Sequence, residues 1–266
     1  MTAGLRVALG VALSLQVAAH AVKVHFPTNC TEPAPTDPAQ PLPTAWIDPR
    51  LDGGQMLDSV FYWRIGEPLN VIISGQSDRE ILTESGFVDY ARSIGFSDEC
   101  LGLHMGMRHQ ANLGDGLGWR EEQLLERQTF RTSLEIPLWG TTCWESLAGG
   151  NHFRAWRQDT TGAWFLAASE EMSGRARHMI VEDGYNRGRD SLVAKALSSS
   201  RHSPWVAEVA WIQGLLEPGA EGINHKIPQD GLVALLTVTK RPNKPPRSRR
   251  FWPALMKVLH FLLPFF

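Results

Sequence analysis

The chain has 266 residues, of which 43% are hydrophobic and 20% charged, with a formal charge of −2. This is the composition of a globular protein, and it excludes wholesale disorder, a collagen-like repeat and a multi-span membrane protein. The charge is unevenly spread: residues 240–266 hold seven basic groups and no acid, while residues 22–239 hold 18 basic against 28 acidic groups, an excess that argues against a nucleic-acid-binding domain because phosphate contacts need a basic face.

In chain order, Met1–Ala21 has one cation, Arg6, then the apolar run Val7–Ala19 and a small-x-small end at Ala19-His20-Ala21. The run is shorter than the roughly 20 apolar residues that span a bilayer, so it reads as a cleaved signal peptide and predicts a secreted protein. Residues 22–50 read as a Pro-rich linker, since Pro27, Pro33, Pro35, Pro38, Pro41, Pro43 and Pro49 are too frequent for helix or central strand. It carries the glycosylation sequon Asn29-Cys30-Thr31. Of the three cysteines, Cys100 and Cys143 lie in the Gly-rich middle and are paired here as a disulfide, leaving Cys30 over.

The domain is expected over 51–239. Val60–Trp63 reads as an early strand or amphipathic segment, and Leu69–Ser74, stopped by Gly75, as a buried strand. Asp78 is placed to cap a helix from about Arg79 to Ile94. Residues 95–150 are Gly-rich, with a polar helix predicted over Trp119–Thr132 and a turn at Gly114–Gly118 held by Asp115. His152–Arg157 alternates polar and apolar side chains as a half-buried strand requires, Asp159–Gly162 is a turn, and Ala163–Ala168 is the returning strand. A short strand at His178–Val181, a helix over Asn186–Leu197, and strands at Val206–Trp211 and Leu232–Val238 complete the set. This order predicts an α+β, two-layer sandwich: a ferredoxin-like (split βαβ) antiparallel sheet with insertions, one face under the helices and the other more open. After Lys240 a basic segment leads into the apolar stretch Phe251–Phe266, which suits peripheral attachment to a membrane surface through its Phe and Leu side chains and its cations.

No GxSxG elbow, HExxH pair or phosphate-binding GxxxxGK[ST] loop occurs. One constellation carries chemistry. His152 and Arg154 are two apart on a strand and share a face, His178 opens a later segment, and Asp183, Arg187, Arg189 and Asp190 flank the start of the second helix. Convergence of these groups would make an anion site, since cationic side chains and first-turn amides reinforce one another. Two His and an Asp also form a donor set open to a metal, although no metal site or cofactor is assigned. The bland alternative is that the arginines pair with Asp183, Asp190 or Glu170 and fasten helix to sheet.

The same residues carry a resemblance. Pro68–Gly75, Asn151–Arg157, Gly162–Ser169 and His178-Met179-Ile180 through Arg189-Asp190 resemble the LssY C-terminal domain, which shows a P-x-N-hydrophobic-G strand, an H-x-R-x-W strand, an apolar strand ending in small residues and a His-led segment closing in Arg-Asp. The chain is also similar to a family of secreted basidiomycete proteins around Ser93–Leu103 and Cys143–Arg157. LssY-type segments carry paired His where this chain has His178-Met179. The resemblance implies a fold and a set of positions rather than a reaction. The leading expectation is a secreted or cell-surface module binding an anionic small molecule or lipid headgroup through His152, Arg154, His178, Asp183, Arg187 and Arg189. The alternatives are a phosphate-ester hydrolase using His152 or His178 as acid/base, and a purely structural secreted protein.

Overall fold

Strand-forming sequence in this chain is concentrated in two apolar runs, Val71–Ile73 and Ala163–Ala168, and both lie buried at the middle of a sheet. The computed structural model describes residues 44–60, 65–104, 106–130, 138–198 and 203–242. The segment expected to be a signal peptide, Asn29, Cys30, most of the segment read as a Pro-rich linker and the tail beyond residue 242 lie outside these residues, as does Phe61–Trp63 of the expected early strand.

The strands are β1 (Ser59–Val60), β2 (Val71–Ile73), β3 (Phe96–Asp98), β4 (His109–Asn112), β5 (Trp119–Glu121), β6 (Leu124–Gln128), β7 (Gly149–Arg157), β8 (Trp164–Met172), β9 (Trp205–Ile212) and β10 (Val233–Lys240). The helices are α1 (Glu84–Ser93), α2 (Leu138–Ala148) and α3 (Gly184–Leu197). Seven strands form one sheet in the order β3-β6-β7-β8-β2-β10-β9, and β1-β4-β5 form a second, so the chain is α+β. Neighbours in the large sheet are antiparallel except β2 and β10, which pair in parallel. The expected sheet was antiparallel throughout. The difference arises because β9 enters at the edge and its hairpin partner β10 turns back to lie against β2.

Side chains alternate between faces along a strand, and the two faces of the large sheet bury separate cores. Val71, Ile73, Phe153, Ala155, Trp164, Leu166, Leu236 and Val238 pack under Phe87, Tyr90 and Ala91 of α1 and Leu192, Val193 and Ala196 of α3. Ile72, Trp156, Phe165, Ala167 and Val233 pack instead against Met56, Ala111, Leu113, Leu215 and Leu216. The second face, expected to be the more open one, is therefore covered by the small sheet and its loops, a third layer beyond the predicted two. Ala45 and Ile47 are already hydrogen-bonded to this domain, through Gly75 and Gln158.

Several elements depart from their sequence reading for local reasons. Thr83, not Asp78, caps the first helix, its Oγ1 accepting from the Gly86 N–H at 3.2 Å. Asp78 instead accepts the Lys240 backbone N–H and ties this loop to β10. Residues Trp119–Gln128 form β5 and β6 rather than a polar helix, because Leu124–Arg127 gain a full ladder with Arg154, Ala155, Phe153 and His152 of β7, and tertiary pairing overrides propensity. His178–Val181 keeps only an isolated bridge from Ile180 to Glu171, since Arg177 (φ 58°) and His178 (φ 52°) turn the backbone left-handed just before it. Cys100 and Cys143 form the expected disulfide, joining a 3-10 turn after β3 to α2. Among the described residues no helix is long and apolar enough to cross a membrane.

Candidate functional site

The register of β6, β7 and β8 sets Arg127, His152 and Ser169 side by side across three strands. Glu171 lies two residues beyond Ser169 and Arg154 two beyond His152, so all five side chains project from the same face. That face is the one opposite α3. The element order then brings acids to it from elsewhere: Glu99 and His104 flank the 3-10 turn Cys100–Gly102, Glu145 comes from α2, Glu122 precedes β6, and Asp58 with His109 comes from the small sheet.

The result is one continuous chain of charged and polar contacts. Asp58 Oδ2 lies 2.8 Å from His109 Nδ1, and the His109 backbone N–H donates to Glu122 Oε2. Arg154 Nη1 donates to Glu122 Oε1 at 2.8 Å. His104 joins Glu122 to Glu99, with Nε2 3.6 Å from the former and Nδ1 2.8 Å from the latter. Arg127 then bonds three carboxylates: Glu99 at 3.4 Å, Glu145 at 3.2 Å and Glu171 at 3.0 Å. Glu171 finally holds both imidazoles of the sequence constellation, His152 Nε2 at 3.5 Å and His178 Nδ1 at 3.2 Å. The disulfide supports this arrangement directly, because Cys100 adjoins Glu99 and Cys143 lies two residues before Glu145.

Burial sets the protonation states. His152 is only 1% exposed, and burial, helped by the Arg127 and Arg154 charges and resisted by Glu171, pushes its pKa down to about 3. It is a neutral imidazole at physiological pH, and its Nδ1 has no hydrogen-bond partner. Burial works against the Glu171 carboxylate too, but the His152 and Arg127 beside it hold its pKa below the ordinary value. Glu145 is raised to about 7 by burial, offset in part by Arg127. Glu67 is also raised to about 7, by burial and then by the neighbouring Asp58 charge. For His109 burial opposes charge, but the hydrogen bond its ring donates to Asp58, with the Asp58 charge, outweighs it and lifts the pKa.

The network reaches solvent at a cavity of about 210 Å³ lined by Asp98, Glu99, His104, Arg108, Glu122 and Glu126 among others. Acids dominate this lining. A second feature lies at the far end of the chain of contacts: the ligand-capable atoms of Asp58, Glu67 and His109 all lie within 4.8 Å of one another, and all three residues are buried.

The sequence constellation is thus divided. His152, Arg154 and His178 belong to the network, but Asp183, Arg187 and Arg189 do not join it, because α3 lies on the other face of the sheet. Arg187 pairs with Glu170 at 2.7 Å. Arg189 bonds Asp230 at 2.6 Å and Asp190 at 2.8 Å and stacks on Trp211. Asp183 accepts from the Asn186 side chain at the start of α3. Each guanidinium of the expected anion pocket therefore already has a carboxylate. Sequence reasoning missed Asp58, Glu67, His104, His109, Glu122, Arg127, Glu145 and Glu171. Glu171 was within reach, since it lies on the face of His152 once β7 and β8 are read as a hairpin; the remainder converge through loops whose spacing carries no motif. Comparison with family models, with curated proteins and with solved structures finds no match for this chain.

Proposed function

We propose that the chain is an exported binding module whose carboxylate-lined cavity takes a small cationic ligand, an organic amine or polyamine. The observation that carries this is the cavity wall: the carboxylates of Asp98, Glu99 and Glu122 against His104 and Arg108, with Glu126 beside them held protonated at neutral pH by burial and Glu99 and Glu122 also serving Arg127 and Arg154. A site with surplus carboxylates lowers the free energy of a cation and raises that of an anion. The anionic small molecule or lipid headgroup read from the sequence would have to displace Glu122 from Arg154, or Glu145 and Glu171 from Arg127, so it has less support. Export rests on the signal-like leader and on the Cys100–Cys143 bridge, which suits an oxidising compartment.

A second reading keeps the hydrolase alternative, because His152 and His178 share Glu171. It is the weaker one, since burial of His152 keeps water and substrate from its ring. The LssY-like relationship and the ferredoxin-like reading of the sheet, with β8, α3 and β9 as a crossover around β2 and β10, are part of the same proposal.

Isothermal titration of the secreted full-length chain with di- and polyamines, with inorganic phosphate and with anionic vesicles tests these readings together. Saturable amine binding is expected, weakened about tenfold in Glu99→Gln, as the loss of a charge-assisted hydrogen bond implies. Saturable phosphate or vesicle binding without amine binding overturns the assignment in favour of the anion, and turnover of phosphate esters lost in His178→Ala would favour the hydrolase.

A further inference from the structure

Asp58, Glu67 and His109 are brought together by backbone pairing, not by chance surface crowding. Asp58 and Glu67 face each other across a tight backbone pair: the Asp58 N–H donates to the Glu67 carbonyl at 3.0 Å, and the Glu67 N–H donates to Asp58 Oδ1 at 2.6 Å. Leu57 and Pro68 extend the pairing by a bridge. Residue 66 must be glycine here, because a Cβ would collide with the Asp58 carbonyl. His109 is fixed from the third side by its register with Val60 on β1. Three separate stretches of chain thus hold three ligating side chains before any ligand arrives.

Two observations point to a ligand here. The ligand-capable atoms lie within 4.8 Å of one another, so shifts of a few tenths of an ångström bring them inside the ~4.2 Å that one ion with bonds near ~2.1 Å can span. Glu67 is 4% exposed, its carboxylate faces the other two groups, and its Oε2 has no hydrogen-bond partner. A buried carboxylate oxygen left unpaired beside a second carboxylate is costly. The nearby Arg154 acts on Glu67 through its charge but donates no hydrogen bond to Oε2, its Nη1 being bonded to Glu122.

We infer that Asp58, Glu67 and His109 form a binding site for one divalent transition-metal ion, Zn²⁺ or Mn²⁺. Two carboxylates neutralise the ion's charge, and the imidazole selects against Ca²⁺ and Mg²⁺, which prefer all-oxygen shells. Three protein ligands leave coordination positions open, as in sites where a metal also meets water or a ligand. The site stands apart from the amine cavity of the proposed function, to which it connects through the His109–Glu122 contact.

The test uses the full-length chain, stripped with chelator, exposed to Zn²⁺, Mn²⁺, Co²⁺ or Ca²⁺ and desalted. Retained metal is counted by mass spectrometry, affinity is read by calorimetry, and the Co²⁺ form is followed by visible absorption. One retained Zn²⁺ or Mn²⁺ per chain is expected, with affinity lost by roughly 100-fold or more in Glu67→Gln, beyond what outer-shell changes cause. His109→Gln is the second variant, and its Co²⁺ spectrum should lose the nitrogen-ligand signature. Glu99→Gln should keep the metal while weakening amine binding about tenfold, which separates failure of this inference from failure of the proposed function. No retained ion in the unaltered chain, unchanged affinity in folded Glu67→Gln, or tighter binding of Ca²⁺ than of Zn²⁺ overturns it.

Discussion

Arg127 is the residue on which the network turns. Its guanidinium is almost wholly buried and serves Glu99, Glu145 and Glu171 at once. Removing one partner of a buried ionic cluster leaves the others uncompensated, at about 3–5 kcal/mol. Arg127→Met is therefore expected to lower the unfolding free energy by that amount in a urea titration, far more than Arg187→Met, whose pair with Glu170 is half-exposed. Glu126 makes the opposite point. It lies on the helix-facing side of β6 with an unpartnered oxygen, and burial, then the Asp98 charge, raise its pKa from 4.5 to about 8. Below pH 4.5 folded and unfolded chains both hold this proton, and its contribution is fully present. Between 4.5 and about 8 the unfolded chain releases the proton while the folded one keeps it, so stability falls as pH rises. Thermal melts at pH 5 and pH 8 should show this slope, and Glu126→Gln should flatten it. His152, lowered to about 3, acts on the acid side: stability is lost as pH falls from 6.5 toward that value, and its ring should remain neutral at pH 5 by NMR.

At the scale of elements, two contacts set how helices meet the sheet. α3 lies close to β8 because residue 188 is glycine; a Cβ there would collide with the Ser169 backbone. Gly188→Ala is expected to destabilise by about 3 kcal/mol, the upper range for overpacking, measured by denaturant midpoint. α2 is fastened differently, by the disulfide whose cysteines are 43 residues apart. A loop of that size implies about 4 kcal/mol, and a Cys100→Ser, Cys143→Ser double variant should melt roughly 10 °C lower at the scale usual for domains of this size. It should also weaken amine binding, because Glu99 and Glu145 are positioned from its two ends.

The same elements show what the sequence makes legible. The β7–β8 hairpin could be read because His152–Arg157 alternates and Asp159–Gly162 is a turn sequence; α3 could be read from its length. β5 and β6 could not, since Arg120–Arg127 is rich in helix-forming residues and becomes strand through tertiary pairing, β5 with β4 and β6 with β3 and β7. α2 is masked in sequence by the Gly-rich context around it. For the site, strand periodicity correctly put His152 and Arg154 on one face, but it could not say that α3 lies across the sheet from them, which is why Arg187 and Arg189 fall elsewhere.

For the whole molecule, the large sheet organises everything else. Its helix face is sealed by α1 and α3, and its other face is shared between an apolar core around Trp156 and Phe165 and the polar network around Arg127. Under the proposed function this interior takes a cation in place of the anion expected from sequence, and its buried acids with raised pKa values make stability sensitive to pH near neutrality. The arrangement of strands has a further consequence for biosynthesis. β10, the last strand in chain order among the described residues, is inserted between β2 and β9. A ribosome releases the chain from its first residue onward, so β2 waits with one edge bare until Val233–Lys240 has emerged. Until then no seven-stranded sheet exists, and a nascent chain shorter than that should be handled by chaperones as unfolded polypeptide rather than accumulate as a smaller, finished domain.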